Sequence, residues 1–209
     1  MAMFNLPPDW KFSRPFWIAN AVEVLERAAW YGVFVAITLY LSRVLAYSDV
    51  EAATTSGVFV AGLYFLPTFS GAYADRIGFR NALLLAFGLL TIGYGSMWVL
   101  PTLLESGGLV QYGVESDSDL VDKVGKIVVF NGLDTSWQKW LFIPVMLVVM
   151  VGGSFIKSVI TGTVARETSE ATRARGYSIF YAMVNIGAFS GKTIVKPLRD
   201  SMGDEGLYV

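Results

Sequence analysis

Residues 16–41 form an apolar stretch long enough to cross a bilayer, yet Glu23, Glu26 and Arg27 sit in its middle. Nothing else in the chain constrains its fold as strongly. A membrane-spanning helix needs roughly 20 apolar residues to cross a hydrocarbon core of about 30 Å. An ionisable side chain at that depth is costly, rare and turned toward the inside of a bundle or a water-filled path. Helical spacing places the three charges at i, i+3 and i+4, on one face. That face is predicted to look inward, where its carboxylates can take up and release protons. The alternative is a single structural ion pair, Glu23 with Arg27, that leaves Glu26 over.

Composition agrees with a membrane chain. Hydrophobic residues make up 54% of the 209 and mean hydropathy is +0.52, beyond the balance of soluble domains. The fold class this implies is all-α, a polytopic helical bundle. A net charge of −1 gives no basic surface for nucleic acid. With no cysteine and no histidine, there is no disulfide, no thiolate nucleophile and no imidazole to carry protons. Carboxylates are left as the proton carriers. The opening MAMFNLPPDWKFSRPFW lacks the pattern of a cleaved signal peptide, so the first span is expected to direct insertion.

Five spans are predicted: 16–41, 54–74 with Pro67 inside it, 81–100 closed by Pro101, 140–164 and 176–195. They divide the chain into an N-terminus (1–15), three helices (16–100), an acidic excursion (101–139), two helices (140–195) and a tail (196–209). The excursion is expected to be folded and outside the membrane, since long loops without structure are uncommon. Lys11, Arg14, Arg76, Arg80, Arg166, Arg173 and Arg175 gather on one side. The positive-inside rule puts that side, with the N-terminus, in the cytoplasm of a plasma or inner membrane. Five spans followed by KPLRDSMGDEGLYV suggest a fragment, or one piece of a larger assembly that lacks a C-terminal half.

Four polar residues share one level. Counted from the inner ends of their spans, Arg27, Tyr64, Lys157 and Asn185 fall roughly 12–17 Å deep, near the bilayer midplane. Transporters bind substrate and ions at such midplane clusters. Lys157 is too deep to snorkel to water, so Glu23 or Glu26 is its expected partner. Lys192 lies roughly 24 Å along its span and is expected to snorkel to the outer face.

The stretch GAYADRIGFR, from Gly71 through Asp75, Arg76 and Gly78 to Arg80, resembles the G-x-x-x-D-R-x-G-x-R signature of the major facilitator superfamily. In that family the motif locks the outward-facing state through charge contacts. With it in place, EVLERAAWYG (23–32) is similar to the E-x-x-E-R-F-x-Y-Y-G pattern of the proton-dependent oligopeptide transporters. VGGSFIKSVITG resembles their G-x-G-x-x-K-P-N segment, with Lys157 at the lysine. GYSIFYAMVNIGAF resembles F-Y-x-x-I-N-x-G, with Asn185 at the asparagine. Tyr64, eleven residues before Asp75, falls where the family has a substrate-facing tyrosine. Departures are Ala28, Trp30, Ser158, Val159 and Phe34, the last where many relatives have a second arginine. They change the pocket wall and keep the charges.

The resemblance implies a proton-coupled symporter for di- and tripeptides or similar small solutes, working by alternating access with no cofactor beyond the coupling proton. It assigns proton coupling to Glu23, Glu26, Arg27 and Lys157. Substrate contacts fall to Arg27, Trp30, Tyr31, Tyr64, Lys157 and Asn185. Gating falls to Gly71, Asp75, Arg76, Gly78 and Arg80. Two other readings stay open: a carrier for a non-peptide solute, and a non-transporting half-carrier kept for assembly. An enzyme is disfavoured, because the sequence has no phosphate-binding glycine loop and no metal-ligand cluster.

Overall fold

A computed structural model describes residues 11–114 and 127–202. Glu115, Asp117, Asp119 and Asp122 of the acidic stretch, with Lys123 and Lys126, lie outside those residues, as do 203–209. Helix α1, Arg14–Leu39, is capped by Ser13, whose hydroxyl accepts from Phe16 N–H, with a proline in its first turn. It runs on through a π-helical turn, Tyr40–Val44, whose apolar side chains are buried. Helix α2, Asp49–Phe65, opens with a capping box between Ser48 and Glu51. Helix α3, Pro67–Ile77, continues it after a 43° bend. Pro67 has no N–H to continue the ladder, and Ser158 of the facing helix donates to its carbonyl oxygen at 2.9 Å.

Helix α4, Phe79–Ser106, begins after Gly78, whose φ of +83° favours glycine. The expected stop at Pro101 is not a helix end: α4 passes through it to Ser106. One missing backbone bond does not end a helix whose neighbours hold it. The excursion that follows contains an antiparallel hairpin, β1 (Val110–Val114) with β2 (Ile127–Phe130), pairing Val110 with Phe130. A short 3-10 turn, Trp137–Leu141, leads into α5, Phe142–Arg166, and α6 spans Arg173–Met202.

Among the described residues, three helical stretches are long and apolar enough to cross a membrane, and four if the bent α2–α3 pair is one span. The fifth expected span is α6. It has the length but not the apolarity, because Asn185, Lys192 and its glycines and serines dilute the run. It packs along α1, the most extensive helix contact in the fold, while α5 touches α1, α2, α3, α4 and α6.

The α1–α6 contact rests on small residues. A side chain at Gly191 would strike the carbonyl oxygen of Ala28, and one at Gly187 would strike that of Val24. Helices in lipid gain close packing in this way, through small residues one turn apart.

Candidate functional site

Arg27 is one cation between two carboxylates. Its Nε lies 3.2 Å from Glu23 Oε1 and donates to Glu26 Oε2 at 2.5 Å, while Nη2 also pairs with Glu26. The relative exposures of the three side chains are 14% for Arg27, 5% for Glu23 and 8% for Glu26. The reading in which Glu26 is left over is therefore replaced by a shared guanidinium. Helix α1 makes this arrangement on its own, since all three residues belong to adjacent turns. Glu26 also borders an apolar cavity of about 430 Å³ lined by Phe87, Leu90 and Tyr94 of α4 and Ile156 of α5. Two further acceptors, Glu23 Oε2 and Asn20 Oδ1, are buried with no donor among the described residues.

Lys157 on α5 is not paired with either glutamate. Its Nζ stands 4.1 Å from the ring centroid of Tyr64 on α2, a cation–π contact. Arg27 takes both carboxylates because they lie on its own helix, whereas Lys157 reaches from a neighbouring one. Glu26, Arg27, Trp30, Tyr64 and Lys157 together border a cavity of about 20 Å³, room for about one water. Depth counting thus brings together Arg27, Tyr64 and Lys157. Asn185 is exposed on α6 and makes no hydrogen bond to the cluster among the described residues.

The aromatic side chains continue the same face of α1. Trp30 packs on Phe59 and Phe34 at centroid distances of 5.2 and 5.6 Å, and Tyr31 meets Phe34 edge-on at 6.5 Å. Lys192, expected to reach the outer face, is exposed. Its Nζ lies 4.9 Å from the Tyr31 ring centroid.

At the α3–α4 turn, Asp75 is 3.5 Å from Arg166 Nη2, both side chains about two-thirds exposed. The Arg166 guanidinium also lies 4.0 Å over the Phe79 ring. Gly71 packs against Ser158, while Arg76 and Arg80 are exposed. Sequence reasoning missed Asn20, Arg166 as the partner of Asp75, and Ser158 as the group that serves the α2–α3 bend. The one visible signal was a serine, at Ser158, where the family pattern has a proline.

Apolar spanning helices packed around buried ionisable groups define a polytopic helical membrane protein. No family model and no solved structure matches the chain. Among curated proteins, it is 28% identical over 129 residues to dipeptide and tripeptide permease A of Proteus mirabilis, covering 52% of this chain and 26% of that one. It is 34% identical over 82 residues to dipeptide and tripeptide permease B of Photorhabdus asymbiotica, covering 39% and 17%. Permease A of Chromobacterium violaceum matches at 28% over 121 residues, 57% of this chain and 22% of that protein. The resemblance read from the motifs is borne out over part of the chain, which is similar there to proteins named dipeptide and tripeptide permeases. The chain spans about a quarter or less of the length of these relatives. All are named permeases, which agrees with a carrier rather than an enzyme.

Proposed function

We infer that the chain is the N-terminal part of a proton-coupled symporter that imports di- or tripeptides, or similar small solutes, by alternating access. The observation that carries this reading is the shared guanidinium. Two buried carboxylates share one guanidinium at membrane depth, and a proton on either glutamate leaves Arg27 paired with a single carboxylate. Protonation also frees donors of Arg27 for an incoming carboxylate. Lys157, held by a ring rather than by an anion, needs no such release and serves as the second carboxylate contact. Trp30, Tyr31, Tyr64 and Asn185 form the remaining wall, with the N-terminus on the cytoplasmic side. A cavity of about 20 Å³ is far below the size of a dipeptide site. Substrate binding therefore needs room beyond this cavity, and the Gly71–Arg80 turn, through the Asp75–Arg166 contact, restrains the motion that provides it.

The test is proton-driven uptake of a labelled dipeptide by the full-length protein in proteoliposomes. Glu26→Gln is expected to abolish acceleration by an inward proton gradient while leaving counterflow exchange, and Lys157→Ala is expected to weaken both. Gradient-driven uptake that survives Glu26→Gln and Glu23→Gln together would remove the coupling assignment. The names of the relatives favour a peptide over another solute, and a panel of dipeptides, nitrate and sugars separates those cases.

A further inference from the structure

Lys192 has no place in that scheme, and its surroundings give it one. Gly191, next to it, sits against Ala28 and Gly32 of α1, so Lys192 is level with that turn. Lys192 is exposed, and its ammonium rests on the ring of half-buried Tyr31, one helical turn beyond Arg27. The rise over four residues is about 6 Å. A ring face engages the charge but accepts no ordinary hydrogen bond from its three N–H donors. Lys192 forms no ion pair with any acidic group among the described residues. Phe34, the next residue on this face of α1, brings no charge. Two cations near this face of α1 thus rest on aromatic rings, Lys157 on Tyr64 and Lys192 on Tyr31.

We propose that Lys192 is a second anion-binding point, which gives the carrier a preference for dianionic solutes such as dipeptides with an acidic side chain. The main-chain carboxylate goes to Arg27 and Lys157, and the second carboxylate goes to Lys192. The two carboxylates of an acidic dipeptide are separated by on the order of one to two residue lengths, about 3–7 Å, which matches the one-turn offset. This proposal rests on the carrier reading above but not on the solute being a peptide.

The experiment is equilibrium binding to the purified full-length protein, with alanyl-alanine, alanyl-glutamate and glutarate as probes, on wild type, Lys192→Met and Lys192→Arg. Wild type is expected to bind alanyl-glutamate more tightly than alanyl-alanine. Lys192→Met should erase roughly ten- to a hundredfold of that difference, the worth of one charge-assisted contact, leave alanyl-alanine unchanged, and be matched by retention in Lys192→Arg. If neither peptide binds but glutarate does, and Lys192→Met loses it, the peptide reading fails and the anion site stands. Equal affinities for all three probes in wild type overturn the proposal. So does a Lys192→Met variant that shifts the probes alike or not at all, which is what a lysine serving only the α1–α6 packing would do.

Discussion

Replacing Arg27 with methionine tests whether the α1 cluster is an electrostatic unit. The substitution keeps an unbranched apolar stem, shortens the side chain by its guanidinium end and removes its contacts to Glu23 and Glu26. Each charge-assisted contact is worth about 1.5–3 kcal/mol, and breaking a buried pair by deleting one partner costs about 3–5 kcal/mol. The carboxylates limit the damage by taking protons. Neutralising an ordinary glutamate costs about 3.7 kcal/mol at pH 7 but only about 1 kcal/mol at pH 5. Arg27→Met should therefore lose about 3–5 kcal/mol near pH 7 and markedly less at pH 5. The informative control is Glu23→Gln/Glu26→Gln/Arg27→Met, in which no uncompensated charge is left and most of the loss should return. Unfolding of the full-length protein in mixed micelles, followed by tryptophan fluorescence at the two pH values, reads all three quantities. If the triple variant is as unstable as Arg27→Met at pH 7, the cost lies in packing and the shared-guanidinium account is wrong.

Two other contacts give direct predictions. Gly191→Leu forces α6 off the Ala28 turn of α1, an overpacking expected to cost about 1–3 kcal/mol; the same micelle unfolding assay checks it, and Gly57→Leu, where the added Cβ meets nothing within 4 Å, serves as the neutral comparison. Lys139 ties the excursion to the bundle through Glu51 at 2.9 Å and the Asp134 carbonyl at 2.9 Å. Lys139→Met should cost about 1.5–3 kcal/mol, nearer the lower figure because Glu51 is partly exposed and can rehydrate. The segment between α4 and α5 should then become the first site of limited proteolysis.

Helix positions were legible because apolar length is a one-dimensional property, and the charges inside 16–41 announced an inward face without any partner being known. Pairing was not legible. Whether Lys157 meets a glutamate or a ring depends on how α5 sits against α1 and α2, and spacing along one helix says nothing about that. Depth counting could group Arg27, Tyr64 and Lys157 by level but could not show that Asn185 is exposed on α6 and makes no hydrogen bond to them among the described residues. Position along the span puts Lys192 within reach of the outer face, but only the glycines at 187 and 191, which let α6 close on α1, decide that its ammonium meets Tyr31. Pro101 misled because a proline reads as a stop in a soluble helix, whereas α4 is held on both sides of it.

Charge balance connects the two proposals. Along this face of α1 stand two carboxylates, Glu23 and Glu26, and three cations, Arg27, Lys157 and Lys192. The sum is one positive charge, which a monoanionic solute neutralises. A proton on one glutamate raises it to two, which a dianion neutralises. Proton uptake and dianion binding would then favour each other through the same field, in a setting where net charge is expensive. A neutral dipeptide brings one carboxylate and one ammonium, so the proton does less for it unless its ammonium is bound elsewhere. The coupling should therefore be visible as a difference: acidifying the medium from pH 7.5 to 6 should strengthen binding of alanyl-glutamate more than that of alanyl-alanine. Lys192→Met should bring the two pH responses together, and parallel pH responses in wild type would break the link between the proton and the second anion.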